Sequence, residues 1–343
     1  MLALGLDIGG ANLKAATSAG QAHSEPFEIW RAPQDLTARL RTLIARFRPA
    51  DVIAVTMTAE LADCFATKRE GVAAIIAAAC DAVGAADIIF WQTTGRFAAP
   101  ADALRSPRAV AAANWHALAT WAGRLAPLGK ALLVDLGSTT TDLIPLEDGR
   151  PAARGATDLE RLTHHELVYT GARRTPLCAL TSSVPVCGHP CGVAAELFAT
   201  TLDACLVLGL APEDESDRQT ADGRPATIPC AHDRIAHMVC CDREEIDIPE
   251  ARSIARHFLD AQRRQLSAAL DAVVARDPRA LQTVILSGSG EFLAKRLLSE
   301  HPLTCSTPIV RLAESLSPAL ADAACAHAVA VLALERSREP PAK

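Results

Sequence analysis

The chain has 343 residues, 50% hydrophobic and 22% charged, with 34 Lys and Arg against 40 Asp and Glu for a net charge of −6. That length and apolar content exclude a disordered chain and suggest two ordinary domains or one large α/β domain. The acidic balance argues against a nucleic-acid or anionic-membrane binder, and 4% aromatics with a single Tyr argue against a stacking platform for single strands.

The chain opens on Leu2-Ala3-Leu4-Gly5-Leu6-Asp7-Ile8-Gly9-Gly10, an apolar strand ending in Asp and a Gly turn, with a second strand at Leu13 to Ser18. No basic leader or small-residue cleavage site precedes it, so the cytoplasm is the expected location. Asp35 to Arg48 has helical periodicity behind Pro33. Val52 to Thr56 reads as a strand, Asp63 to Val83 mostly as helix, Asp87 to Phe90 as a strand and Pro107 to Leu125 as one helix. Ala131 to Leu136 then repeats the opening motif: Asp135 ends the strand, Gly137-Ser138-Thr139-Thr140 makes the turn, and a second strand runs from Thr141 to Leu146. Two copies about 130 positions apart suggest two similarly built halves.

Residues 157–190 are irregular, Val193 to Leu208 reads as a helix, and the polar stretch from Ala211 to Pro229 as a loop. Arg234 to Cys241 and Pro249 to Ala275 read as helices. Thr283 to Leu286 is a strand before Ser287-Gly288-Ser289-Gly290, and a helix opens at Glu291. Ser317 to Glu335 closes the chain as a helix, with residues 336–343 expected to fray. Strands alternating with helices argue for an α/β fold. The expected division is a first domain over 1–128 and a second over 129–320, with the C-terminal helix returning to the first. No stretch of about 18 apolar residues runs free of a charge or a breaker. The 11 Cys, odd in number and scattered, read as reduced thiols.

A strand ending in Asp before Gly brings backbone N–H groups close to whatever sits at its tip, and such turns hold phosphate oxygens. The Asp can bind Mg²⁺, which bridges phosphates. Two such turns facing each other would grip a polyphosphate from both sides. A Gly-rich helix start, as at Gly288 to Gly290, also favours anions.

The three motifs together resemble the superfamily of actin, Hsp70, acetate kinase and sugar kinases, and Asp135-Leu-Gly-Ser-Thr-Thr-Thr-Asp142 looks most like its hydantoinase/oxoprolinase branch. The segments Thr56-Met-Thr-Ala-Glu60-Leu-Ala-Asp63, Asn114-Trp115-His116, Val168-Tyr169-Thr170-Gly171-Ala-Arg173-Arg174-Thr175-Pro176, Ala195-Glu196-Leu-Phe198-Ala-Thr200 and Thr220-Ala-Asp222-Gly223-Arg224-Pro225 resemble a smaller family. It is that of the tetrahydromethanopterin-linked C1-transfer pathway proteins, whose archaeal relatives are methanofuran-biosynthesis synthases. The resemblance runs from about residue 2 to residue 330.

It implies two RNase H-like domains around a cleft, and a transferase. The reaction would join an aminomethylfuran methyl diphosphate to the phenol oxygen of γ-glutamyltyramine or a tyrosine-like acceptor, with loss of diphosphate. Mg²⁺ is the implied cofactor; ATP is left open. On this reading Asp7 and Asp135 hold the metal, and both join Glu60 and Asp142 as catalytic carboxylates. The phosphates lie against Gly9, Gly10, Asn12 and Lys14 on one side and Gly137, Ser138, Thr139 and Thr140 on the other, with Gly288, Ser289 and Gly290 beside them. His116, Arg173, Arg174, Glu196, Asp222 and Arg224 are the expected substrate contacts. A phenol of pKa about 10 needs a base at neutral pH, for which Glu60, Asp63, His116 and Asp142 are candidates.

The partners expected are small molecules, with neither nucleic acid nor membrane; the oligomer is left open, a homodimer included. Asn12 where the superfamily tends to carry Thr or Ser, and Gly137-Ser138 where the branch tends to have two Gly, argue for phosphate binding over ATP hydrolysis. The rival functions are an ATP-dependent kinase or amide-ring hydrolase of the same superfamily, and a non-catalytic nucleotide-binding protein.

Glu196, Thr200 and Asp203 fall at i, i+4 and i+7 and would share a helix face. Asp222 and Arg224 lie in a polar loop that reads as a surface turn or a mobile lid. Cys187-Gly-His189-Pro-Cys191 has the spacing of one zinc-ligand pair, with Cys178 nearby, but no clear second pair. Trp115 could wall a furan ring.

Overall fold

The structure is a computed structural model that describes residues 1–84 and 86–336. Five strands lead the first sheet: β1 (Ala3–Ile8), β2 (Asn12–Thr17), β3 (Ala22–Pro26), β4 (Val52–Met57) and β5 (Asp87–Trp91), with a short β6 (Phe97–Ala98) at the edge. The spatial order is β3-β2-β1-β4-β5-β6. β1 to β3 form an antiparallel meander, and β4 and β5 add parallel to β1. Helices α1 (Leu36–Ile44) and α2 (Lys68–Val83) supply the crossovers.

The second sheet repeats this order. β7 (Lys130–Leu136), β8 (Thr141–Glu147), the edge pair β9 (Arg150–Pro151) and β10 (Leu167–Val168), then β13 (Thr283–Ser287) and β14 (Ile309–Arg311) give β10-β8-β7-β13-β14. β7 runs antiparallel to β8 and parallel to β13. The order three-two-one-four-five, with the first three strands antiparallel and the last two parallel to the first, is RNase H-like. It occurs twice, and the repeated Asp–Gly motif is its sequence trace.

Both faces of each sheet are buried, so alternate residues feed different cores. Leu4, Leu6 and Ile8 of β1 pack with Leu40, Val72 and Ile75 of α1 and α2. The opposite face meets two Ala-rich helices, α5 (Asn114–Ala122) and α13 (Ala324–Arg336). The same α5 turns Trp115, Leu118 and Ala122 toward Ala131, Leu133 and Ile144 of the second sheet. Its two faces thus bind the halves together. Gly5 sets the depth of α13: an added Cβ there would lie 2.9 Å from the Ala326 carbonyl carbon. That contact carries the start of α13 up to the end of β1, where Asp7 stands.

Beyond the second sheet, a hairpin of β11 (Ser183–Val186) and β12 (His189–Gly192) packs with α7 (Thr201–Val207), α8 (Ile228–His237) and the first half of the long α9 (Ile248–Val274). The second half of α9 and α10 (Glu291–Glu300) cover the outer face of the second sheet. Short helices α3 (Pro100–Arg105), α4 (Pro107–Val110), α6 (Asp158–Thr163), α11 (Leu312–Ser315) and α12 (Pro318–Asp322) fill the connections.

Several expected helices are corrected. Helix α2 starts at Lys68, capped by Thr67 accepting from the Glu70 amide, so Asp63 lies outside it. The expected helix from Pro107 to Leu125 is broken between α4 and α5, where Ala112 takes a positive φ of 46°. The C-terminal helix likewise breaks at Ala323 into α12 and α13. The expected helix from Val193 begins only at Thr201, because Thr200 and Asp203 form a capping box there. Glu196, Thr200 and Asp203 therefore share no helix face. Of the segment expected to fray, Arg336 ends α13 and 337–343 lie outside the described residues. No helix among the described residues is long and apolar enough to cross a membrane.

Candidate active site between the two halves

The two motif turns have one geometry. The Gly9 amide donates to the Asn12 carbonyl at 3.0 Å, and the Gly137 amide to the Thr140 carbonyl at 2.9 Å. Strand register sets Lys14 opposite Asp7 and Asp142 opposite Asp135. Gly9 is crowded by its own turn, an added Cβ falling 2.9 Å from the Asn12 oxygen, whereas a Cβ on Gly10 would meet nothing within 4 Å. The 137–140 turn is clasped from behind. Ala172 donates to Gly137 O at 2.9 Å, and Arg173 and Arg174 donate to Ser138 O at 3.0 and 2.9 Å. Gly290, the cap of α10, donates to Leu136 O at 2.8 Å. Gly288 has φ +98°, and a Cβ there would strike Leu136 O and lie 2.6 Å from Asp135 Oδ1. The Ser287–Gly290 segment thus sits directly on the second turn, with Ser287 level with Asp135.

Carboxylates outnumber cations at this centre. Burial pushes Asp7 up to about 6, against the pull of Lys14. Its Oδ1 is enclosed with no hydrogen-bond partner among the described residues. Burial pushes Asp135 further, to about 7, helped by the charge of Asp142 and opposed by the Ser287 hydroxyl. Burial also raises Asp142, while its buried partner Arg161 holds it down. Lys14 donates to Asp322 through the carbonyl at 2.6 Å and Oδ1 at 2.9 Å. Burial favours its neutral amine, but Asp322 and Asp7 outweigh burial and keep it an ammonium. Cys325, the second residue of α13, is half-buried beside these groups; desolvation first, then the charges of Asp7 and Asp135, drive its thiol far up. Four carboxylates thus face Lys14 and Arg161. Such a centre suits a divalent cation and would repel a bare diphosphate.

A second cluster lies where the halves meet. Lys68 of α2 pairs with Asp158 of α6 at 3.8 Å, and Arg161 reaches the same Asp158 at 3.5 Å. The Arg161 guanidinium lies 4.4 Å from the Trp115 ring centre, and Arg174 lies 5.1 Å from that of Trp30. Glu60, two residues beyond Thr58, is 1% exposed, and its Oε2 has no partner among the described residues. Thr58 itself donates its amide to Ile8 O at 2.9 Å and leans on Gly9, tying this loop to the first turn. Burial raises Glu60 to about 7; its own amide, Lys68 and the Ala112 amide pull it down, and Asp158 pushes it up.

The other expected contacts are engaged by neighbours within the chain. His116 packs between Trp91 and Trp115, ring centres 5.8 and 5.2 Å away, and burial lowers it to about 4. Arg173 pairs with Asp217. Arg224 holds Asp222 at 2.6 Å and Asp233 at 2.8 Å, and buried Arg234 joins Asp222 at 2.9 Å to Asp203 at 2.7 Å. The loop runs from Ala211 only to Thr227, since α8 takes up Ile228 and Pro229, and an ion-pair network pins it so that it is not a free lid. Glu196 is exposed and bonds its neighbour's amide, that of Leu197. Sequence reasoning missed Asp322, Cys325, Arg161 and Lys68. The capping patterns at Thr157–Glu160 and Thr67–Glu70 were readable signals for the helices that carry Arg161 and Lys68; no local pattern marks the other two.

The sequence profile described as hydantoinase/oxoprolinase matches residues 51–329. The chain belongs to the hydantoinase/oxoprolinase family. Two relatives bear the name (4-{4-[2-(gamma-L-glutamylamino)ethyl]phenoxymethyl}furan-2-yl)methanamine synthase. That of Methanocaldococcus jannaschii is 32% identical over 88% of this chain and 90% of its own length. That of Methanococcus vannielii is 34% identical over 59% of this chain and 89% of its own length. Among solved structures, a nucleotide-free acetone carboxylase aligns with TM-score 0.51 at 12% identity, covering 93% of this chain and 51% of that one. That likeness concerns the fold alone. The hydantoinase/oxoprolinase match starts at residue 51, so the first Asp–Gly turn lies outside it and rests on the fold repeat.

Proposed function

We propose that this chain is a transferase that joins an aminomethylfuran to a phenolic, tyramine-type acceptor through an aryl furfuryl ether. The observation that carries the reading is the 32% identity, over 90% of its length, to a synthase whose named product holds that ether. The electrophile on this reading is the furan methyl diphosphate. Its C–O bond breaks readily, because the furan oxygen feeds electrons to the developing cation. The enzyme's main task is then to hold the departing diphosphate, which is electrostatic work.

The donor set fits Mg²⁺: hard carboxylate oxygens at Asp7 and Asp135, one of them buried without a partner. These two would hold the ion, and bound there it would neutralise charge growing on the leaving group. The chain's own part is to aim amides of the 9–12 and 137–140 turns at the phosphates, with Lys14 adding a positive charge. Arg161 keeps Asp142 paired, so that carboxylate supports the site and is not free to take a proton.

The test is an ATP-free assay by mass spectrometry, with Mg²⁺, the furan methyl diphosphate, and γ-glutamyltyramine or tyrosine. The expected result is an ether with release of diphosphate, which also names the acceptor. No ether, with ATP turnover appearing on addition of an acceptor, would move the protein to the kinase or hydrolase reading. Nucleotide bound without any turnover would make it a binding protein.

A further inference from the structure

We infer that Glu60, on the loop that follows β4 beside the first Gly turn, is the general base that takes the proton of the acceptor's phenol; its Oε2 is enclosed and has no partner among the described residues. The inference rests on the transferase reading above. Among the four carboxyl and imidazole candidates, geometry leaves one. Asp142 is engaged by Arg161, Asp63 is exposed ahead of α2, and His116 is wedged between Trp91 and Trp115. Glu60 alone of these four is nine-tenths buried with an oxygen that nothing in the described chain satisfies. A buried carboxylate without a partner costs free energy unless something supplies a proton or a donor. The acceptor hydroxyl supplies both.

The surroundings hold the carboxyl in place for this. Helix α2 packs so closely that a Cβ on Gly71 would lie 2.8 Å from Glu60 Cα. The charged groups facing it are Lys68 on α2 and Asp158 on α6, one of each sign and paired with each other. The raised affinity for a proton, to about 7, therefore comes chiefly from burial and matches the task of a base at neutral pH. In the step, the phenol O–H bond breaks and its proton goes to Glu60 Oε2. The phenoxide pair forms the new bond to the furan methylene carbon, and diphosphate leaves with the pair of the broken C–O bond. The proton on Glu60 then passes to water.

The experiment compares wild type and Glu60→Gln on two acceptors: γ-glutamyltyramine, and a ring-fluorinated analogue whose hydroxyl is already ionised at the assay pH. With the native phenol the variant should lose about 10²- to 10⁴-fold in kcat with KM little changed. The fluorinated acceptor should restore most of that loss. In wild type, kcat for the native phenol should fall as pH drops below about 7, and this limb should vanish with the fluorinated acceptor. That profile stands as the test if the variant does not fold. An equal loss on both acceptors, or no loss on either, overturns Glu60 as the base. If wild type makes no ether with either acceptor, the transferase reading itself fails and this assignment falls with it.

Discussion

Replacing Glu60 with Gln should make the protein more stable at alkaline pH while damaging it as a catalyst. Glu60 has a carboxyl pKa of about 7 in the fold against 4.5 for the free group. The sign follows from proton binding. Between those values the native state binds more protons than the unfolded chain, so stability falls as pH rises through the window. A shift of that size corresponds to about 3 kcal/mol above pH 7, at about 1.4 kcal/mol per pH unit. At pH 5 most of this cost is absent, because the native carboxyl is protonated. Gln has the same shape and no charge to desolvate. The stability difference between variant and wild type should therefore widen by about 2 kcal/mol in favour of the variant between pH 5 and pH 8. Urea unfolding at both pH values, followed by tryptophan fluorescence, reads this directly. A difference that stays flat with pH, or moves against the variant, would refute the picture of a buried carboxyl with one oxygen left without a partner. A residue that lowers stability in order to act is what a functional site predicts.

Asp7→Asn and Asp135→Asn should each reduce ether formation by at least about a hundredfold, and weaken Mg²⁺ binding measured by calorimetry; full activity in both would remove the phosphate cradle. Gly288→Ala should cost about 2–4 kcal/mol in urea unfolding, since φ is positive and the new methyl meets backbone and Asp135, whereas Gly10→Ala should stay within about 1 kcal/mol. Equal effects at the two glycines would contradict the turn geometry. Arg161→Met should destabilise by about 3–5 kcal/mol because Asp142 is left buried and unpaired, and adding Asp142→Asn to it should recover part of that loss. Failure of the double variant to recover would mean that the Trp115 contact, not the ion pair, carries the cost.

Local patterns in the chain determined a good deal by themselves. Apolar runs ending in Asp–Gly marked β1 and β7, and their recurrence announced two halves of one design. Short-range chemistry of that kind is legible because a strand and its turn are decided by neighbours in sequence. The helix from Val193 failed for the opposite reason. Its apolar residues serve a core built with α8 and α9, and a capping box at Thr200 sets the true start. Position in space was decided only by the tertiary structure. Burial selects Glu60 over Asp63, three residues apart, because α2 closes over one and leaves the other in solvent. Asp322 and Cys325 reach Lys14 and Asp7 from more than 300 residues away because Gly5 lets α13 lie on β1. A carboxylate's task depends on what surrounds it, and those surroundings come from segments that meet only when the two sheets and the shared helices between them have packed.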